Sequence, residues 1–228
     1  MRSSFVSKFL NYNLTEGTIV HVYPFKEAGT SMNREELEML LTELDEALVQ
    51  AFPGPEPMRV LVVGGACLLF TGTTTRPTQD IDVIVTDLFG TGEASLVYNL
   101  TKTTRKVRKI IEGIGKSHGL YKDEKMFLND DCAPFLIELG PIPPARLLRE
   151  YRKLTLYIPD DLSYILACKL IAGRANKDFG DIAVLRKLLN VSTREQARDI
   201  VSRFFPDHTL QEFYDLAKNL DEIFRGEQ

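Results

Sequence analysis

The chain has 228 residues, 44% of them hydrophobic, and a formal net charge of −4. That length supports one sizeable core with at most a small second domain, and the negative balance argues against a protein wrapped in nucleic acid while leaving room for a local basic patch. No run of about 18 apolar residues occurs and no continuous apolar stretch follows Arg2 and Lys8, so neither a membrane span nor a secretory signal is expected.

Residues 1–31 show no sustained period and read as a tail, with "HVYPF" a short strand at most; Met32 could serve as an alternative start. Asn33 and Glu36 then give an N-cap and its partner three residues on, and Leu37, Leu40, Leu41, Leu44 and Leu48 make one apolar helical stripe. "PGPEP" (53–57) stops that helix. "RVLVV" (59–63) reads as a buried strand, followed by Gly64-Gly65, the short apolar stretch "ACLLF" and the polar loop "TGTTTRPT". The loop delivers a second strand, in which Ile81, Val83, Ile84 and Val85 are β-branched. A long helix is expected over 94–116, with Lys102, Arg105, Lys106 and Lys109 on one face. "APFLIEL" (133–139) and "KLTLYI" (153–158) are further strand candidates. After Pro159 the pattern turns helical. Asp160 or Asp161 caps a helix to about Ala172, a second begins near Asp178, Ser192 with Glu195 boxes a third, and Asp207 caps a fourth ending near Phe224. The fold class is therefore mixed α/β (α+β), followed by a helical domain of about 70 residues.

The three cysteines (Cys67, Cys132, Cys168) and three histidines (His21, His118, His208) are scattered along the chain. A disulfide framework, a zinc site and a Ser/His/Asp signature are not expected, and a reducing cytoplasm is the natural setting. "GIGKSHG" (113–119) is no P-loop, because Ile110 stands five residues before Gly115 and a helix rather than a strand precedes it.

Asp80 and Asp82 carry the chemistry. Two residues apart on a strand, they share a face with α-carbons roughly 7 Å apart. Like charges so close repel unless a cation lies between them. Hard carboxylate oxygens suit Mg²⁺ (or Mn²⁺) carrying a nucleoside triphosphate. Gly64-Gly65 permits close backbone approach to phosphate, with helix N–H groups following. On a blander reading the acid pair caps its strand or pairs with Arg76, and Lys169 is a snorkelling helix lysine. Asp178 is then an N-cap and Asp181 a residue facing the helix dipole, and the basic face at 102–109 is a solvated surface.

"VVGGACLLFTGTTTRPTQDIDVIV" (62–85) resembles the signature of the DNA polymerase β-like nucleotidyltransferase superfamily, and with its Arg-x-Thr before the acidic pair it is similar to the AbiEii/MenT-like toxins and the bacterial DUF6036 group. A second block, "YILACKLIAGRANKDFGDIAVL" (164–185), matches the same group through Lys169, Arg174, Lys177, Asp178 and Asp181. The resemblance covers about residues 33–205. It implies a nucleotidyltransferase α/β domain over 32–158, a mixed sheet with flanking helices, and a helical domain over 159–228. It also implies Asp80 and Asp82 as metal ligands, Lys169 as a phosphate contact and Asp178 as a further catalytic acid. Gly64, Gly65, Arg76, Thr78 and Asp181 would bind nucleotide. Implied in turn are transfer of a nucleoside monophosphate to a hydroxyl, tRNA 3′ ends as acceptor, and an antitoxin partner. The basic face Lys102, Arg105, Lys106 and Lys109 is the candidate RNA surface. A protein or small-molecule acceptor, or a catalytically inactive nucleotide- or partner-binding module, are the alternatives. The chain departs from the superfamily in having Gly64-Gly65 where many members have Gly-Ser, which leaves Thr71 or Thr73 as substitutes. A third carboxylate is expected on a later strand, with Glu138 the candidate.

Overall fold

The computed structural model of the chain describes residues 31–92, 94–96, 101–121 and 126–225, with backbone only at 175–177. The reading of 1–30 as a tail, and of Lys177 as a site side chain, lies outside the described residues. The first helix, α1 (Arg34–Ala51), begins at the expected box: Glu36 N donates to Asn33 Oδ1 and Asn33 N to Glu36 Oε2, both at 2.9 Å. Its leucine stripe is fully buried.

Five strands follow: β1 (Met58–Val62), β2 (Ile81–Leu88), β3 (Leu128–Asn129), β4 (Ala145–Glu150) and β5 (Leu154–Pro159). They form one mixed sheet in the order β3-β2-β1-β5-β4. β1 runs antiparallel to β2 and parallel to β5, β2 parallel to β3, and β4 antiparallel to β5. The helices of this half are α2 (Gly64–Phe70), α3 (Lys102–Ser117) and α4 (Ala133–Leu139). Helix α3 packs on α1, while α2 and α4 pack on β2. The remaining helices are α5 (Ser163–Ala172), α6 (Ala175–Leu188), α7 (Arg194–Phe204), α8 (His208–Phe213) and α9 (Leu216–Ile223). Helix α5 joins the two halves, packing on α2 and also on α6, α7 and α9. One continuous hydrophobic core runs from Met32 to Phe224. Among the described residues no helix is long and apolar enough to cross a membrane.

The structure corrects several sequence expectations. "APFLIEL" is helix α4, not a strand: a seven-residue apolar run does not by itself separate helix from strand, and Pro134 lies in the first helical turn, where it is tolerated. Strand β4 was not expected, because its exposed, arginine-bearing sequence is that of a sheet edge. Helix α3 starts at Lys102 rather than 94, with Thr101 as its cap. The capping box of α7 is Thr193 with Gln196, one residue beyond the expected pair. The expected last helix is two, α8 and α9, broken where Asp215 adopts φ 53°. Helix α6 begins at Ala175, so Asp178 lies within its first turn and is not its N-cap.

Candidate functional site

Strand pairing sets the acidic end of the site. Val62 opposes Val83, and Val63 N donates to the Asp82 carbonyl at 2.9 Å, so the chain leaving β1 turns directly over Asp82. Gly64 makes that turn at φ +62°, and a Cβ there would lie 2.8 Å from Asp82 Oδ2. The left-handed backbone favours glycine, and any side chain there would displace the Asp82 carboxylate. The next position is nearly as tight, since a Cβ on Gly65 would stand 3.1 Å from Thr78 Oγ1. A side chain at 65 would therefore press on the Thr78 hydroxyl. Thr78 also bridges to Met32 through its backbone and donates its hydroxyl to the Asp80 carbonyl at 3.1 Å. Thr71 and Thr73 hydrogen-bond each other at 2.8 Å, and the Thr71 hydroxyl also lies against helix carbonyls of α2.

The second block folds into a buried ion network. Lys169 Nζ lies 2.6 Å from Asp178 Oδ1 and 2.8 Å from Asp181 Oδ2, and all three side chains are at most 5% exposed. Arg174 Nε contacts Asp178 Oδ2 at 3.1 Å. Arg76 grips Asp181 with two nitrogens, Nε at 3.0 Å and Nη2 at 2.5 Å. Arg76 thus pairs across the fold with α6 and not, as the blander reading had it, with the acidic pair. Burial alone would push the Asp181 carboxyl up, but hydrogen bonds from Arg76 and Lys169, with their charges, hold it below its ordinary range. Among the described residues, three cations (Arg76, Lys169 and Arg174) hold two buried carboxylates here.

These parts meet at a cleft of about 360 Å³. Gly64, Asp82, Lys169 and Arg174 line it, together with Cys132, Phe135, Leu136, Cys168, Ala172 and Tyr214. Of the expected site residues, Gly65, Arg76, Thr78, Asp80, Asp178 and Asp181 do not line it. Asp178 and Asp181 hold Lys169, Arg76 holds Asp181, and half-buried Asp80 stands just before the strand that carries Asp82. Cys132 and Cys168 are held toward their thiol forms. Burial pushes the Cys168 thiol up to about 12 and raises Cys132 further.

Two expectations are not met by the cleft. Glu138 is exposed on α4 and lies on no strand. The basic face of α3 contributes nothing to the lining. Its Lys106 donates to the Ala51 carbonyl at 2.6 Å and stands over the Phe52 ring, so it caps the end of α1. Sequence reasoning missed Phe135 and Tyr214, since an apolar run and a helix break carry no catalytic signal.

Among the described residues no three His, Cys, Asp or Glu side chains form a group able to hold a metal ion by themselves. Of the expected acidic pair, Asp82 lines the cleft and Asp80 does not. Set against known proteins, the chain matches no family model, no curated protein and no solved structure.

Proposed function

We propose that the chain is a divalent-metal-dependent nucleotidyltransferase, moving a nucleoside monophosphate from a nucleoside triphosphate to a hydroxyl acceptor. One observation carries the reading: the glycine turn, Asp82 and the Lys169–Arg174 cations, far apart in sequence, converge on one cleft. Asp80 and Asp82 would hold Mg²⁺ or Mn²⁺, which in such a site neutralises phosphate charge and activates the attacking oxygen. Lys169 and Arg174, which line the cleft, would contact the triphosphate. Gly64 leaves backbone room beside Asp82.

For the acceptor we propose the 3′ end of tRNA, on the strength of the resemblance alone. A toxin restrained by an antitoxin follows from that choice. A second reading is a nucleotide-binding module that performs no transfer: among the described residues no three side chains group to hold a metal by themselves.

Calorimetry with each NTP and Mg²⁺, followed by incubation of labelled NTP with total tRNA, protein and small-molecule acceptors, separates these readings. Binding that Asp80→Asn, Asp82→Asn abolishes, with label appearing in tRNA, is the expected result. Binding without any labelled acceptor selects the second reading. Binding that the double variant leaves intact overturns the site.

A further inference from the structure

The cleft has an aromatic side as well as a charged one. Its charged groups come from β2, α5 and Arg174. Its aromatic groups come from α4, which supplies Phe135, and from the junction of α8 and α9, which supplies Tyr214. The Phe135 and Tyr214 rings meet edge to face, with centroids 4.8 Å apart and planes at 89°.

Tyr214 is fastened in place. It is the last cap of α8, and the next residue, Asp215, turns the chain at φ 53° to start α9. Such a conformation in a non-glycine residue persists where the surroundings hold it. Here the holder is Asn219, which is buried. Its side-chain nitrogen lies 3.1 Å from the Tyr214 carbonyl and 3.3 and 3.4 Å from the carbonyls of Leu170 and Ile171 in α5. Gly173 makes room for it: a Cβ there would stand 2.7 Å from the Asn219 amide. The tyrosine is thereby tied to the same helix that presents Lys169.

A ligand matching this lining has one flat apolar part and one polyanionic part. Ring-shaped surfaces prefer aromatic neighbours through their quadrupoles. The volume lies near the lower end of the roughly 300–1,000 Å³ typical of small-molecule sites. That size suits a single nucleoside, with its phosphates directed to the charged groups. We propose that Phe135 and Tyr214 form the subsite for the heterocyclic base of the nucleotide, with Asn219 as the positioning residue for Tyr214. This assignment rests on the nucleotidyltransferase reading. The base is held by stacking, an interaction that tolerates any base because each has a π-face.

The chain contains no tryptophan, so Tyr214→Trp introduces a single reporter at the subsite. ATP, GTP, CTP and UTP, each with Mg²⁺, are titrated against this variant, and inorganic tripolyphosphate with Mg²⁺ serves as the base-free probe. The nucleotides quench the tryptophan emission and tripolyphosphate does not. By calorimetry, Tyr214→Ala lowers nucleotide affinity by about tenfold, within the range expected for one stacked base. It leaves tripolyphosphate affinity unchanged, and Tyr214→Phe binds nucleotide as the native chain does. Phe135→Leu, which keeps apolar volume in a partly buried position, weakens nucleotide binding in the same selective way. Equal nucleotide affinity in Tyr214→Ala and the native chain overturns the subsite and leaves the nucleotidyltransferase reading standing. Parallel loss of nucleotide and tripolyphosphate binding also overturns it. Failure of the native chain to bind any nucleotide while tripolyphosphate binds, or while neither binds, overturns both.

Discussion

Arg76 clasps Asp181 across 105 residues of chain, each carboxylate oxygen meeting its own guanidinium nitrogen. The loop that delivers Asp80 and Asp82 is thereby anchored to α6. A fork of this kind is not reproduced by an ammonium, which is a point donor. Arg76→Lys is expected to weaken metal–nucleotide binding while the melting temperature shifts little, since the Arg76 side chain is about half exposed. Calorimetry beside a thermal scan checks this; undiminished binding would show that the loop keeps its place without the fork.

The same carboxylate sets an acid limit. Asp181 is held below its ordinary value of 3.8 by Arg76 and Lys169, which outweigh its burial. Its carboxylate form is favoured more in the folded chain than in the unfolded one. The resulting stability is present above about pH 4 and is lost as pH falls through the lower folded value. Asp181→Asn removes that contribution. The gap in stability between the native chain and the variant is therefore widest near neutrality and closes on acidification below pH 4. Denaturant titrations across pH 7 to 2 measure it, and a gap independent of pH would contradict the assignment.

Lys169 neutralises two buried acids, whatever else it touches. Removing it leaves Asp178 and Asp181, each 2% exposed, with only the more exposed Arg174 and Arg76 as partners. Lys169→Met is expected to cost on the order of 3–5 kcal/mol, a fall in melting temperature of roughly 6–20 °C for a chain of this size. Adding Asp178→Asn and Asp181→Asn to Lys169→Met recovers part of the loss, because no buried charge is then stranded. A simple surface lysine would show neither effect.

The glycine turn offers the sharpest local test. Gly64→Ala forces a side chain into left-handed backbone at a cost of about 1–2 kcal/mol and drives its Cβ against Asp82. Nucleotide binding with metal should fall further than stability does. Gly72, equally left-handed but with open space around it, is the control: Gly72→Ala loses comparable stability and keeps binding.

The basic face of α3 stands outside the cleft. Arg105→Glu with Lys109→Glu should leave mononucleotide binding unaltered. If RNA is the acceptor and this face holds its backbone, the double reversal lowers the salt slope of RNA affinity by somewhat under one unit for each lost phosphate contact. An unchanged slope removes α3 from the RNA surface. Lys106→Glu belongs to another category, because it strips a bond from the end of α1 and should lower the melting temperature on its own.

Much of this architecture was legible in the sequence. The leucine stripe of α1, the β-branched run of β2 and the box at Asn33–Glu36 are local signals that packing reinforces. What stayed hidden was non-local. β3 is two residues long and exists only because β2 pairs with it. β4 is an edge, whose exposed face carries no apolar period. α4 reads as a strand until its Pro134 is taken as a helix opener. At the site, the structure brings Gly64, Asp82, Lys169 and Arg174 to one cleft, and sets the other motif residues behind or beside it. Nothing in the order of Arg76 and Asp181 announces that they bond to each other. Tyr214 and Asn219 acquire meaning only once α9 has folded back on α5.

That folding back has a consequence in time. On the ribosome Asp82 is made 137 residues before Asn219, an interval of roughly 7–27 s at ~5–20 residues per second. Throughout it the nascent chain carries its acidic pair but lacks the amide that clasps Tyr214 to α5. The cleft is therefore completed late in synthesis, when α9 docks, and in a refolding experiment its formation belongs with the long-range contacts rather than with the early return of helix.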